Sequence, residues 1–177
     1  MGVYYKMTPL VRTLYLLRHA KSSWDDPALA DHERPLAPRG RRDAKRVAEH
    51  LRALGVVPGL VLCSTSARTR ETLEFLLPAL GASTVLYEDG LYGASRDELL
   101  ARVHRVPDEV ASLMLIGHNP GMEDLALGLA SSGDELERVR AKFPTAALAT
   151  LTIATSWNRL APGGAVLESY VVPKQLG

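Results

Sequence analysis

The sequence predicts an α/β fold: a mostly parallel central sheet covered by helices on both faces, with an antiparallel pair of strands at one edge. Short apolar runs alternate with helical stretches up to residue 130, which is the pattern of a parallel sheet with crossover helices. The last part of the chain instead carries two strand-like runs in succession. No repeat, low-complexity segment or linker interrupts the pattern, so we expect residues 1–177 to form a single domain.

Each parallel strand is predicted by a short apolar run. These runs occupy residues 13–18, 60–63, 84–87 and 113–116. The helices after them are predicted at residues 39–54, at residues 66–80, from a cap at Ser95 or Asp97 to residue 105, and at residues 121–130. Gly55 stands where the first helix has to stop. The antiparallel pair is predicted at residues 146–154 and 165–172.

The longest predicted loop follows the first strand. Residues 19–37 are polar and are interrupted by Pro27 and Pro35. A loop of this length inside a compact domain is usually either functional or disordered. Ahead of the first strand, residues 1–12 are expected to form a poorly ordered leader. Met7 is an alternative start, which would make residues 1–6 dispensable.

The composition excludes several classes of protein. Hydrophobic residues make up 46% of the chain and charged residues 23%, which is typical of a soluble globular domain. The formal net charge of +1 gives no electrostatic reason to expect a nucleic-acid or membrane partner, and no apolar run approaches the roughly 20 residues of a membrane span. Cys63 is the only cysteine, so there is no internal disulfide, and a cytoplasmic location is expected.

Polar side chains with catalytic chemistry follow three of the predicted strands. The first strand ends in Arg18 and His19, the second leads through Ser64 to Arg68, and the fourth leads to His118. The carboxyl ends of parallel strands meet at one edge of a sheet, where ligands bind in α/β folds. Two arginines and two histidines would then share a pocket, and guanidinium groups match the oxygens of a dianionic phosphoryl group in pairs.

This set of residues predicts phosphoryl transfer. A neutral nitrogen of His19 can attack phosphorus and form a phosphoramidate, which water then hydrolyses. Arg18 and Arg68 offset the charge on the equatorial oxygens, and His118 donates a further hydrogen bond. The chain has no cysteine cluster and no HExxH motif, so we expect neither a metal nor a cofactor.

Each of these residues also has a structural interpretation. His19 alone would pass for a strand-end histidine packed under a loop, and Arg68 for an exposed arginine at a helix start. His118 would pass for a cap of the following helix, and Asn119 for a turn residue before Pro120. The arrival of Arg18, His19, Arg68 and His118 at one predicted sheet edge favours the catalytic interpretation.

Four segments of the sequence carry a family resemblance. Residues 16–24 (LLRHAKSSW) resemble the signature of the histidine phosphatase superfamily, also called the phosphoglycerate mutase-like family, with Ala20 and Lys21 in place of its usual Gly and Glu. Residues 34–44 resemble the family segment that begins Pro-Leu. The spacing of Ser64, Arg68 and Thr72 matches a third segment, and His118 matches the second histidine.

Within that superfamily the chain most resembles the small SixA-like branch of phosphohistidine phosphatases. The resemblance rests on RHAKSSW, on DHERPL at residues 31–36 and on GHNPG at residues 117–121. It implies a three-layer α/β/α sandwich of the phosphoglycerate mutase type. It also implies that His19 is the nucleophile and that Arg18, Arg68 and His118 bind the phosphoryl group.

The residue that protonates the leaving group is less evident. Many members of the superfamily use a carboxylic acid near the end of the third strand, which makes Glu88 the candidate here and Asp89 the next. Ser22, Ser64 and Asn119 are candidates for substrate contacts, although each has a structural alternative. Residues 39–46 form a basic run, interpreted as a solvated helix face that could also steer a phosphoprotein towards the site.

The predicted function is hydrolysis of phosphohistidine in proteins, through a covalent phosphohistidine on His19 and without a metal. The alternative is a phosphomonoesterase that uses the same site on a small phosphorylated metabolite. A phosphate-binding module without turnover is a third possibility, against which the intact set of four residues argues. The physiological substrate and the oligomeric state stay open.

Overall fold

Seven strands form one sheet in a computed structural model that describes residues 10–177. In chain order they are β1 (Arg12–Arg18), β2 (Leu60–Ser64), β3 (Thr84–Glu88), β4 (Ser112–Gly117), β5 (Ala130–Ser132), β6 (Leu148–Ile153) and β7 (Ala165–Val171). Across the sheet the order is β3-β2-β4-β1-β6-β7-β5. The first four strands are mutually parallel, and β6 runs antiparallel to both β1 and β7.

Five α-helices cover the sheet. They are α1 (Pro38–Ala53), α2 (Ala67–Leu80), α3 (Arg96–Val103), α4 (Gly121–Leu129) and α5 (Leu136–Ala141). Alternate residues of β1 face opposite sides, since Leu14 and Leu16 join one apolar core and Leu17 joins the other. The first core lies under α3, α4 and α5, and the second under α1 and α2. The predicted α/β/α sandwich is therefore confirmed.

The structure departs from the sequence-based expectation in three places. Arg12, which we expected to end a leader over residues 1–12, begins β1, where its guanidinium donates to the carbonyl of Thr155 at 2.9 Å. The rest of that leader, up to residue 9, lies outside the described residues. The antiparallel pair β6 and β7 forms as predicted, but the edge strand is β5, which runs parallel to β7. Both β5 and α5 were absent from the prediction.

The long loop after β1 is ordered. A bridge between Ser22 and Leu36 closes it, and Asp31–Glu33 forms a turn of 3₁₀ helix inside it. The loop is therefore a fixed part of the sheet edge at which β1 ends. Over residues 10–177 the structure contains no helix that is both long and apolar enough to cross a bilayer.

Candidate active site

The ends of β2, β4 and β1 bring the predicted residues together. Arg18 lies opposite Gly117 in the β1–β4 register, and Cys63 lies opposite Ile116 in the β2–β4 register. The amide of His19 donates to the carbonyl of Gly117 at 3.0 Å, which extends this pairing by one residue. His19 and His118 consequently stand side by side, with ring centroids 5.2 Å apart.

His19 is held in one tautomer. Its Nδ1 lies 2.7 Å from the carbonyl oxygen of Ala20. A carbonyl can only accept, so Nδ1 carries the hydrogen and the lone pair is on Nε2. Burial lowers the pKa of His19 to about 3, and the positive charges of Arg68 and Arg18 act in the same direction. At neutral pH the imidazole is therefore uncharged, with Nε2 available as a nucleophile.

Arg68, in the first turn of α2, contacts both His19 and the long loop. Its Nε donates to His19 Nε2 at 3.3 Å, its Nη1 to the carbonyl of Asp31 at 2.7 Å, and its Nη2 to the Asp31 carboxylate at 3.0 Å. These bonds use three of the five N–H groups of a guanidinium, so two remain for a ligand. The buried guanidinium is thus oriented in advance beside His19.

Asp31 is the carboxylate nearest this cluster. Besides Arg68, its side chain accepts from Tyr92 Oη at 2.5 Å and from Arg34 Nη1 at 2.9 Å. The Tyr92 hydroxyl, followed by the two arginines, holds the pKa of Asp31 well below its ordinary range. Asp31 is therefore an ionised group that positions Arg68, and it is a poor proton donor.

His118 completes the cluster from the end of β4. Its Nε2 lies 2.8 Å from Ser64 Oγ, and burial, followed by the charge of Arg68, lowers its pKa to about 4. Two buried nitrogens of the cluster, His118 Nδ1 and Arg18 Nε, have no hydrogen-bond partner within residues 10–177. The charge of Arg18 acts on both the His19 and the His118 rings, so the cluster is an electropositive site at this sheet edge.

The two lowered pKa values predict a loss of stability in acid. In the folded protein the pKa values of His19 and His118 are about 3 and about 4, below the ordinary histidine value of 6.5. Between about pH 3 and pH 6.5 the unfolded chain therefore binds more protons than the folded one. Stability is therefore complete above pH 6.5 and falls as the pH drops towards 3. Urea unfolding at pH 7, 5 and 4 checks this, and His19→Ala should lose less stability over that range than the wild type. Equal losses would contradict the lowered pKa of His19.

Arg18 is fixed by a segment that the sequence did not single out. Its Nη1 donates to the carbonyl of Phe143 at 2.9 Å. Three residues later the amide of Ala146 donates to the carbonyls of Arg18 and His19, at 3.1 and 3.0 Å. Ala146 has a φ of 60°, a left-handed conformation that residues other than glycine rarely adopt. The segment 143–146 therefore clamps the backbone of Arg18 and His19.

Thr72 connects α2 to the same backbone. Its Oγ1 accepts from the amide of Ala20 at 3.0 Å and donates to the carbonyl of Arg68 at 2.7 Å. One buried hydroxyl thus ties the residue after His19 to the turn that carries Arg68. Its role is to position these two groups relative to each other.

The loop after His19 also rests on the first turn of α1. A Cβ at Gly40 would lie 2.1 Å from the carbonyl oxygen of Lys21 and 2.9 Å from its amide nitrogen. Only glycine allows this approach. We expect Gly40→Ala to destabilise the fold by about 1–3 kcal/mol, because either α1 or the loop must move, and to lower kcat as His19 shifts. Urea unfolding and turnover of an aryl phosphate measure the two effects.

Gly90→Ala is the matched control for that substitution. Nothing lies within 4 Å of a Cβ at Gly90, and its φ is outside the left-handed region. The control should keep the wild-type stability and kcat. Equal behaviour of the two variants would show that the contact between α1 and Lys21 does not matter.

Two of the candidate substrate contacts make hydrogen bonds within the protein. Ser22 Oγ accepts from Arg34 Nη2 at 2.5 Å inside the long loop. Asn119 Nδ2 donates to the carbonyl of Phe143 at 2.9 Å, and its Oδ1 accepts from the amide of Glu123 in α4. Ser64, by contrast, lies within the cluster through its contact with His118.

Glu88 lies at the same edge of the sheet as His19 but away from it. It is paired with Ser64 across β2 and β3, and β3 stands three strand positions from β1, about 14 Å at the usual strand spacing. Both carboxylate oxygens of Glu88 accept from Arg102 in α3, each at 2.8 Å. The structure thus places Glu88 in an ion pair with Arg102 rather than against His19.

The described residues offer no evident metal centre. Over residues 10–177 no group of three or more His, Cys, Asp and Glu side chains is arranged to hold an ion. Cys63 is buried in β2, its Sγ lies 3.3 Å from the carbonyl of Ser64, and burial raises the pKa of its thiol to about 12. A protonated thiol of this kind is neither a ligand nor a nucleophile.

Comparison with known proteins identifies the family. The family model described as "Histidine phosphatase superfamily (branch 1)" matches residues 14–92. Relatives that match about nine-tenths of this chain extend the similarity beyond residue 92. The chain is 34% identical to a protein of Nakamurella multipartitia provisionally named phosphohistidine phosphatase SixA, with a TM-score of 0.80 over 92% of this chain and 96% of that one. The chain belongs to the histidine phosphatase superfamily, in its SixA-like branch.

Two further relatives extend the match. A SixA protein of Agrobacterium tumefaciens, also provisionally named, is 31% identical, with a TM-score of 0.79 over 92% of this chain and 98% of that one. The uncharacterised protein Rv1276c of Mycobacterium tuberculosis is 41% identical over 162 residues, which are 89% of this chain and all of that protein. Membership of this branch makes the protein a phosphatase, a hydrolase that acts on phosphoryl groups.

Proposed function

We propose that the protein removes the phosphoryl group from phosphohistidine in other proteins, through a covalent phosphohistidine on His19 and without a metal. The fold and family establish a phosphatase, so the proposal concerns its substrate, intermediate and charge-stabilising groups. The observation that carries it is that the carboxylate bonded to Arg68 is held ionised, and that the predicted acid is paired away from His19. Asp31 is ionised and bound to Arg68, and Glu88 is bound to Arg102.

The first step is attack by His19. The lone pair of Nε2 forms the new P–N bond while Nδ1 keeps its hydrogen on the carbonyl of Ala20. The 3.3 Å hydrogen bond from Arg68 to Nε2 has to break as the phosphoryl group arrives, and that N–H then turns to a phosphoryl oxygen. The neutral state of His19 means that no proton has to be removed first.

Positive charge around phosphorus comes from the protein. Arg68 has two unused N–H groups, and the charge of Arg18 acts on both the His19 and the His118 rings. A phosphoryl group bound beside His19 would therefore lie in the field of two guanidinium groups. Stabilisation of the equatorial oxygens by fixed donors is most of what phosphoryl transfer requires, which supports a reaction that needs no metal.

The leaving group decides the substrate class. When the distal nitrogen of the substrate imidazole is protonated, the P–N bond breaks with its electron pair on the leaving nitrogen, and neutral imidazole departs without a general acid. An alkyl phosphate would instead release an alkoxide that needs a proton donor, a contribution worth about 10²- to 10⁴-fold in rate. A site in which Asp31 is held ionised by Arg68 and Glu88 is paired with Arg102 therefore favours phosphohistidine.

Water completes the reaction. It attacks the phosphorus on His19, the P–N bond breaks with its electron pair on Nε2, and both protons of the water leave with phosphate as H₂PO₄⁻. His19 returns to the neutral tautomer held by Ala20. We further propose a cytoplasmic location, which the single buried thiol supports.

Three substrates offered to the purified protein test the proposal. They are a protein phosphorylated on histidine, an aryl phosphate and a sugar phosphate. We expect turnover of the first two, because both leaving groups depart without an acid, and turnover of the sugar phosphate at least about 10²-fold slower. Turnover of the sugar phosphate alone would overturn the proposal in favour of a metabolite phosphatase. Binding of all three without phosphate release would favour a binding module.

A further inference from the structure

A second, strongly basic groove lies beside the active site. It has a volume of about 700 Å³, within the usual range of ligand pockets. The groove is lined by residues of α1, of α5, of the segment 142–145 and of the chain from the end of β7 onwards. Its cationic side chains are Arg39, Arg42, Arg46, Arg138, Lys142 and Lys174. The mechanism proposed above uses none of them.

The charge of this groove is only partly offset. Asp43, the one acidic residue that lines it in the described chain, is buried and is shared between Arg39 at 3.6 Å and Arg46 at 3.3 Å. Arg138 pairs with Glu135. Within residues 10–177 no ion pair involves the remaining lysines Lys142 and Lys174, or Arg42. The groove thus presents excess positive charge on a protein whose net charge is only +1.

The lining also has an apolar part. Pro144, Tyr170 and Val172 lie among the cations. The Tyr170 ring is buried, and its hydroxyl donates to the carbonyl of Lys142, which fixes the position of that segment. A surface of this mixed kind fits a peptide that carries carboxylates beside apolar side chains better than it fits a bare inorganic anion.

The groove and the active site share one edge of the sheet. β7 runs parallel to β1 with only β6 between them, so its carboxyl end lies about 10 Å from Arg18 at the usual strand spacing. Both walls are attached to the nucleophile's backbone. On one side, the first turn of α1 packs on Lys21. On the other side, Thr145 lines the groove, and the amide of the next residue, Ala146, donates to the carbonyl of His19. An extended peptide covers about 10 Å in three residues.

We propose that this groove binds an acidic segment of the phosphorylated protein while its phosphohistidine occupies the active site. The proposal rests on the function proposed above and adds a substrate preference to it. Carboxylates about three to five positions from the phosphohistidine would pair with Arg42, Lys142 and Lys174. Such pairing raises the rate of encounter and fixes the register of the bound chain.

Two synthetic peptides test this preference. Each is phosphorylated on one histidine, and one carries three glutamates at positions three to five after it where the other carries glutamines. We expect the wild type to show a kcat/KM about tenfold higher for the glutamate peptide, with a preference that weakens as salt is added. The double variant Arg42→Glu/Lys174→Glu should abolish or reverse the preference.

The matched control is Arg52→Glu/Arg105→Glu, which makes the same change of charge at exposed positions outside the groove. It should keep the wild-type preference. Equal kcat/KM for both peptides in the wild type, or a preference that survives in the groove variant, would overturn the docking proposal and leave the phosphohistidine reaction standing. Hydrolysis of the aryl phosphate but of neither peptide would overturn both proposals.

Discussion

Replacing His19 with alanine is expected to lower kcat on a phosphohistidine protein by about 10⁴- to 10⁶-fold, the usual cost of removing a nucleophile. The expectation follows from the geometry at the end of β1. Nδ1 is committed to the carbonyl of Ala20, so Nε2 holds a lone pair beside Arg68. Single-turnover and steady-state rates on the same substrate measure the loss.

A trapping experiment separates covalent catalysis from general-base catalysis. The wild type is mixed with an aryl phosphate, quenched in base within milliseconds and digested, and an acid-labile phosphoryl group is sought on the peptide that contains His19. His50→Ala, which removes a histidine of α1 outside the cluster, is the control and should be labelled like the wild type. Unchanged turnover by His19→Ala, or no adduct on the wild type under fast quenching, would refute the covalent step.

The elements that the sequence predicts well are those with long apolar patterns. The four parallel strands and their helices are found within one or two residues of their predicted bounds. β5 and α5 escape prediction because they have three and six residues, too few for a periodic pattern to stand out. They are held by tertiary packing, because Val139 of α5 is buried in the core, and Ala130 of β5 and Leu136 of α5 pack against it.

The cluster itself could be predicted because strand ends converge. Arg18, His19, Arg68 and His118 meet at one edge, as parallel pairing requires. Their catalytic roles remain predictions. The sequence did not reveal the clamp at Ala146, because neither its left-handed φ nor its distance along the chain leaves a local signal.

The carboxylates show the limit of motif reasoning most clearly. Glu88 was the predicted acid because of its place after the third strand, but a side chain's partner is set by what packs beside it. Here that partner is Arg102 of α3. Asp31 stabilises the long loop through its ion pair with Arg34. Its second contact, with Arg68, links the loop to the active site and could not be inferred from spacing.

Arg68 is expected to be the most demanding position after His19. Arg68→Lys keeps the charge but loses the planar set of donors, so its single ammonium cannot reach both Asp31 and a phosphoryl oxygen with the same geometry. We expect kcat/KM to fall by about 10²- to 10³-fold in this variant, and further in Arg68→Ala, with weaker inhibition by inorganic phosphate in both. Initial rates and inhibition by phosphate measure these effects.

Arg70→Lys, two residues further along α2, is the control for that change. Arg70 is exposed and lies over the Tyr87 ring at 5.1 Å, away from His19, so the same substitution there should leave kcat/KM within about twofold of the wild type. If Arg68→Lys matched this control, charge alone would stabilise the transition state. A lysine cannot reproduce the bonds between Arg68 and Asp31, so this result would mean that losing those bonds costs no activity. The bonds would then serve only to hold the loop.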